Sequence, residues 1–252
     1  MSARVRSRAG ARVLVVGAGG LGAPVILALA HAGVGTIGIV DDDEVEKTNL
    51  HRQILFREAD VGRQKGEAAR AAITWINERI SVEVHATRFL PHNAIELASM
   101  YDLVIEGSDN FPTKFLVADA CYLAKVPVVH AAAVRWVGTA LAVSATGAPC
   151  YRCVFEDIPR GDAPNCATAG VIGPIVGVVG ALQADLALKM IDGEHVAGTL
   201  VSFDGRSETI RRHAVSARKS CALCGSPKNE QGGDPKSERI SSVETIRYGT
   251  AP

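Results

Sequence analysis

The stretch Arg12-Val13-Leu14-Val15-Val16-Gly17-Ala18-Gly19-Gly20-Leu21-Gly22 constrains this chain more than any other. An apolar run rich in β-branched residues, then a glycine-rich turn, then the alanine-rich residues 23–32 predict a buried parallel strand, a tight loop and a helix. Gly17, Gly19 and Gly22 keep the G-x-G-x-x-G spacing. Missing side chains there permit a sharp turn and let phosphate oxygens reach backbone N–H groups at a helix N-terminus. The expectation is a nucleotide-binding α/β fold.

The glycine spacing alone fits two chemistries. Dinucleotide-dependent oxidoreductases use it, and the second apolar strand, 36–40, ends at Asp41, where such folds hold a ribose. The polar stretch 41–53 then leaves the carboxyl end of a strand, where open α/β sheets bind ligands. Arg52 and Lys65 flank a turn around Gly62, and two cations beside a phosphate loop suit a triphosphate better than a bridging diphosphate.

Length and composition bound the rest. A chain of 252 residues can bury one large α/β core, and 47% hydrophobic residues with 5% aromatics suit an aliphatic sheet under alanine-rich helices. Twenty-seven basic residues balance twenty-seven acidic ones, so no net field draws the chain to nucleic acid or an anionic membrane. Residues 1–10 form a short basic segment without an apolar signal-peptide core, which points to the cytoplasm. Residues 226–252 are polar, rich in Gly, Pro and Ser, and read as a disordered tail behind a single domain, 11–225. The longest apolar run, 171–182, meets Gln183, Asp185 and Lys189 before reaching bilayer length and reads as a buried helix.

Further along, residues 65–79 carry Ala68, Ala69, Ala72, Ile73 and Ile76 at helical spacing, with Trp75 read as packing. Strands are expected at 81–86, 102–107, 127–133 and 139–144, and helices at 93–100 and 111–124. Asp109 is placed equally well to cap the helix from Phe111 and to coordinate a metal at a strand end. Cys150/Cys153 and Cys221/Cys224 form two C-x-x-C pairs, the four thiolates of a tetrahedral zinc site. Cys166 lies in a polar loop, as nucleophile or packed thiol, while Cys121 reads as core. Gly173, Gly177 and Gly180 make a smooth helix face for sheet packing or a subunit contact, and 199–203 with 208–213 read as a hairpin.

Collected, these residues resemble the ThiF/MoeB/HesA family, E1-like adenylyltransferases related to ubiquitin-activating enzymes. The resemblance spans 11–225 and rests on VLVVGAGGLG, Asp41 and Asp43, NLHRQ at 49–53, VGRQK at 61–65, GSDN at 107–110, CYRC, NCATAGV and CALCG. It implies a Rossmann-like, largely parallel sheet continuing into antiparallel strands, helices on both faces, and a structural zinc site at the four paired cysteines. It also implies ATP-dependent adenylation of the C-terminal Gly-Gly carboxylate of a ubiquitin-fold sulfur carrier of the ThiS or MoaD type, with release of pyrophosphate. By the same resemblance Gly20 lies against ATP, Asp41 holds the ribose, and Thr48, Asn49, Leu50, His51, Arg52 and Gln53 line the nucleotide site. Arg52 and Lys65 stabilise phosphate charge, Asp109 with Asn110 holds Mg2+, and Cys166 matches a cysteine that in some members links covalently to the activated carrier. A homodimer is implied. The family's arm motif R-Y-x-R-Q is not reproduced by Arg4, Arg6 and Arg8, and no rhodanese-like segment follows Cys224, so sulfur is expected from another protein.

Overall fold

A computed structural model describes residues 7–158 and 170–225. The apolar runs become a sheet of eight strands in the order β3-β2-β1-β4-β5-β6-β7-β8. Its parallel half holds β1 (Arg12–Val16), β2 (Thr36–Val40), β3 (Ser81–His85), β4 (Leu103–Glu106) and β5 (Val128–Val134). β6 (Val137–Val143), β7 (Thr199–Asp204) and β8 (Thr209–Ala214) extend it as antiparallel hairpins. Val13 to Val16 of β1 are buried, as a central strand covered on both faces requires. Helix α1 (Gly22–His31) follows β1, α2 (Lys65–Ile76) precedes β3, and α3 (Pro91–Ser99) lies between β3 and β4. Then come α4 (Phe111–Ala124), the short α5 (Tyr151–Val154) and α6 (Gly173–Ile191).

Two apolar clusters occupy opposite faces. Val13, Val15, Ile37 and Ile39 face α1, α2 and α6, while Leu14, Val16, Val104 and Val128 face α3 and α4. The alternation along β1 follows from the two-residue repeat of a strand. α6 has the length and apolar content of a membrane span, and half of that window is buried in the fold. Its inner residues, Ile175, Val176 and Val179 among them, pack on the sheet.

Several expectations are corrected here. Trp75 does not pack; it is 80% exposed under the Arg57 guanidinium, 5.8 Å from the ring centroid. It sits roughly a quarter turn from the centre of the apolar stripe, in the last turn of α2. α2 stops at Ile76 because Asn77 is extended and its side chain accepts the Arg79 N–H. The three glycines of α6 do not share one sheet-facing surface. A Cβ on Gly180 would lie 2.3 Å from Pro24 of α1 and one on Gly173 2.4 Å from the His51 carbonyl, whereas Gly177 faces open space. Residues 1–6 and the tail 226–252 lie outside the described residues, as does Cys166.

Candidate active site

In the order β3-β2-β1-β4 the winding of the parallel strands reverses beside β1, and the crevice at that switch point is where such sheets bind ligands. A cavity of about 700 Å³ opens there at the carboxyl ends of the strands. Gly17, Gly19, Gly20, Asp41, Asp43, Arg52, Gln53, Lys65, Asp109 and Asn110 line it, as do Asp42, Thr87, Arg88, Phe89, Ser108 and Val176.

The floor is the turn after β1. Gly17 has φ +90° and donates its N–H to the Val40 carbonyl, locking the turn onto the end of β2. Gly22 does not line the cavity. A Cβ there would lie 1.9 Å from the Gly17 oxygen, so this glycine lets α1 close against the turn. No side chain caps α1, whose N-cap is Leu21; the Ala23 N–H is already given to the Gly19 carbonyl, and the other first-turn N–H groups make a ready anion site.

Asp41 is nine-tenths buried and supports the turn from below: its two oxygens accept the Ala18 N–H at 2.7 Å and the Asp43 N–H at 3.0 Å. Burial pushes its carboxyl above the usual range, against the pull of Lys65 and those N–H donors. Lys65 opens α2, buried, with Nζ 2.7 Å from Asp43 and 4.0 Å from Asp41. Gln53 is buried too, and among the described residues its Oε1 has no partner, a polar atom left for whatever fills the cavity. Among the described residues the Arg52 guanidinium meets only the His51 ring, at 3.4 Å, and Arg88 makes no hydrogen bond or ion pair.

Thr48, Asn49, Leu50 and His51 do not line the cavity. They build the turn that delivers Arg52 and Gln53: Thr48 and Asn49 both donate to Glu46, His51 Nδ1 meets the Thr48 carbonyl, and Leu50 packs on the core. The choice left open at Asp109 is resolved by its neighbour. Asn110 caps α4, accepting the Thr113 N–H at 2.9 Å, and Asp109 makes no hydrogen bond or ion pair among the described residues. Its carboxylate is available to a cation, whereas the Asn110 carbonyl is already committed.

Thr87, Arg88 and Phe89 escaped the sequence reading. They follow β3 just as the polar stretch follows β2, and that position at the carboxyl end of a parallel strand was the available signal. Also unforeseen is a buried polar group beneath Asp109. Glu106, at the end of β4, accepts from Lys114 Nζ at 2.9 and 3.1 Å, and His130 lies 3.6 Å away, beyond hydrogen-bond reach. Burial holds the His130 imidazole below its usual range, against the attraction of Glu106.

The four paired cysteines meet although 71 residues separate the pairs. All four sulfurs lie within 4.8 Å of one another, with Cys150–Cys221 and Cys153–Cys224 at 3.4 Å and Cys150–Cys153 at 3.9 Å. A tetrahedron of 2.3 Å zinc–sulfur bonds has edges of about 3.8 Å, so the donor set fits zinc. Burial disfavours a thiolate at Cys221, yet the Cys224 and Leu223 N–H groups bring it down to about 7. Arg152, inside the first pair, anchors the cluster through a buried bidentate bond to Asp119 of α4 at 2.7 and 2.8 Å.

Comparison with known proteins adds the lineage. Residues 5–224 match the ThiF family. The chain belongs to that family. It is 41% identical over 240 residues to the SAMP-activating enzyme E1 of Haloferax volcanii, covering 94% of this chain and 84% of that protein. It is 44% identical over 216 residues to the adenylyltransferase and sulfurtransferase MOCS3 of Aedes aegypti, 84% of this chain but 49% of that protein. The chain thus spans about half the length of that ThiF-family relative. Among solved structures, E. coli MccB with ATP shares the fold, with TM-score 0.77 and 24% identity, covering 87% of this chain and 68% of that one.

Proposed function

We propose that this chain adenylates the C-terminal carboxylate of a small ubiquitin-fold sulfur carrier ending in Gly-Gly, consuming ATP and releasing pyrophosphate. One observation carries the reading. A single cavity joins an uncapped helix N-terminus, three cations (Arg52, Lys65 and Arg88) and a carboxylate, Asp109, with no protein partner among the described residues. In the reaction a carboxylate oxygen bonds to the α-phosphorus and the bond to the bridging β-phosphate oxygen breaks. The leaving pyrophosphate keeps the electron pair, and no proton need be removed from the nucleophile. Such chemistry calls for fixed positive charge and positioning rather than a strong base.

Each side chain then has a task. The α1 N-terminus and the Gly19–Gly20 backbone receive phosphate oxygens, and Asp41, one strand outward, faces the ribose. Arg52 and Lys65 neutralise charge building on the departing phosphates, Lys65 exchanging its bond to Asp43 for one to phosphate. Asp109 would hold the Mg2+ that accompanies ATP, and that ion would supply further charge neutralisation. On the antiparallel half, a cavity of about 240 Å³ walled by Ala132, Ala133, Val137 and Phe203 offers the carrier an apolar seat. The four cysteines would hold a structural zinc.

The test is carrier-dependent exchange of labelled pyrophosphate into ATP, using the intact protein and a panel of Gly-Gly-ended ubiquitin-fold proteins. Exchange with at least one carrier, lost when its two terminal glycines are deleted, is expected. No exchange with any carrier, or NAD(H) displacing ATP from the cavity, overturns the proposal.

A further inference from the structure

Among the described residues the carboxylate of Asp109 makes no hydrogen bond or ion pair, yet the residues on either side of it are pinned. Downstream, Asn110 is the α4 cap. Upstream, the Ser108 N–H and Oγ–H both donate to Glu106 Oε1, at 2.8 and 2.5 Å, and the Ser108 carbonyl accepts from Lys114 Nζ at 2.8 Å. The same ammonium donates to both Glu106 oxygens and to the Ala131 carbonyl on β5 at 2.5 Å. Three N–H bonds serve these acceptors if the carboxylate shares one of them. Gln183 of α6 fastens the base of this assembly, donating to the Glu106 and Val129 carbonyls at 2.8 Å each.

We infer that Lys114 is a positioning residue: its buried ammonium, locked to Glu106, holds the Ser108 peptide so that the free Asp109 carboxylate meets the nucleotide-bound divalent cation in a fixed place. The inference rests on the reading of Asp109 as the Mg2+ ligand. Burying a lysine and a glutamate merely to join β4 to α4 would be an inefficient stabiliser, since apolar residues of similar volume often serve as well. What an apolar pair lacks is a donor for the Ser108 carbonyl, and that carbonyl belongs to the peptide preceding Asp109. Partners that orient a metal ligand commonly govern about tenfold to a hundredfold in metal affinity.

The experiment measures ATP affinity by calorimetry with Mg2+ and with EDTA, on the full chain carrying Lys114→Arg, Lys114→Met, Lys114→Met with Glu106→Gln, or Asp109→Ala. The double variant leaves no unpaired buried charge, so a melting curve near wild type isolates positioning from folding. Expected is a gain in ATP affinity on adding Mg2+ that Asp109→Ala abolishes, that both Met variants cut by about tenfold, and that Lys114→Arg largely restores. ATP affinity in EDTA should stay within about twofold in all variants, since the phosphate loop is untouched. A folded double variant with the full Mg2+ gain, or one whose affinity falls equally with and without Mg2+, overturns the positioning role. A wild type without any Mg2+ gain overturns instead the reading of Asp109 on which it rests.

Discussion

The glycines of the turn after β1 should separate under mutation, because they do different physical work. In Gly22→Ala the new methyl would begin 1.9 Å from the Gly17 oxygen and 3.0 Å from its carbonyl carbon, so backbone must move by about 1.5 Å to reach ordinary contact. α1 cannot simply back away, since α6 crosses it so closely that a Cβ on Gly180 would lie 2.3 Å from Pro24. Overpacking of this kind costs about 1–3 kcal/mol, offset by at most about 1 kcal/mol from the better helix propensity of alanine. A net loss of about 1–2 kcal/mol should lower the melting temperature by roughly 3–8 °C in a domain of this size. Gly19→Ala is the contrast. Its methyl would find only the Gln53 amide nitrogen, at 3.9 Å, and Gly19 lines the cavity, so stability should hold within about 0.5 kcal/mol while ATP affinity drops about tenfold or more. Melting curves and ATP titrations on both variants decide it. A Gly22→Ala protein melting with wild type, or a Gly19→Ala protein binding ATP normally, would refute the division of labour.

Other expectations follow from the same geometry. Elemental analysis should find about one zinc per chain, and Cys221→Ser should lose it along with several degrees of melting temperature; equal stability with and without metal would remove the structural role. Asp109→Ala should keep its fold and lose pyrophosphate exchange, whereas Asn110→Ala should lose about 1 kcal/mol through its missing cap, as read by urea denaturation. Arg88→Ala should melt like wild type, since among the described residues its guanidinium makes no hydrogen bond or ion pair, yet raise the KM for ATP severalfold in exchange assays. Acid should expose the Glu106–Lys114 pair. Burial alone would push Glu106 up, but Lys114 above all, with His130 and Ser108, brings it down to about 2 from an unfolded value near 4.5. Its contribution is therefore present above about pH 4.5 and lost as pH falls toward 2, a change on the order of 3 kcal/mol absent from the Glu106→Gln/Lys114→Met double variant. Parallel urea midpoints for the two proteins between pH 5 and 2.5 would contradict this.

What the sequence disclosed well was whatever depends on local pattern. β2 lies at 36–40 and α4 at 111–124, as read from apolar runs bounded by turn residues, and β7 and β8 form the hairpin read at 199–203 and 208–213. The two C-x-x-C pairs disclosed a four-sulfur cluster able to hold a metal because ligand count survives any separation along the chain. Trp75 was misplaced because helical phase ranks faces but does not say where the body of the protein ends. Polarity at a strand end marked only the region 41–53, and it was the family resemblance that implied Thr48 to His51 as cavity lining. Which of residues 48–53 point inward depends on a short 3-10 turn, and among them Arg52 and Gln53 face the cavity.

Lys114 and Glu106 were illegible for a deeper reason. A lysine in Phe-Pro-Thr-Lys-Phe-Leu-Val reads as the polar side of a helix, and a glutamate after Leu-Val-Ile reads as a strand emerging into solvent. Each cancels the other's burial cost only because β4 ends directly beside the first turn of α4, a relation of tertiary structure invisible to any window of sequence. That helix links both halves of the site. Its N-terminus carries the Asn110 cap beside Asp109, and Asp119, further along, grips Arg152 between the first pair of cysteines. The cysteine cluster also ties the chain beyond β8 back to α5, so a metal bound there would brace the far side of the same α4 whose N-terminus follows Asp109 at the cavity. A structural metal with no place in the chemistry can thus matter to catalysis through the rigidity of one buried helix.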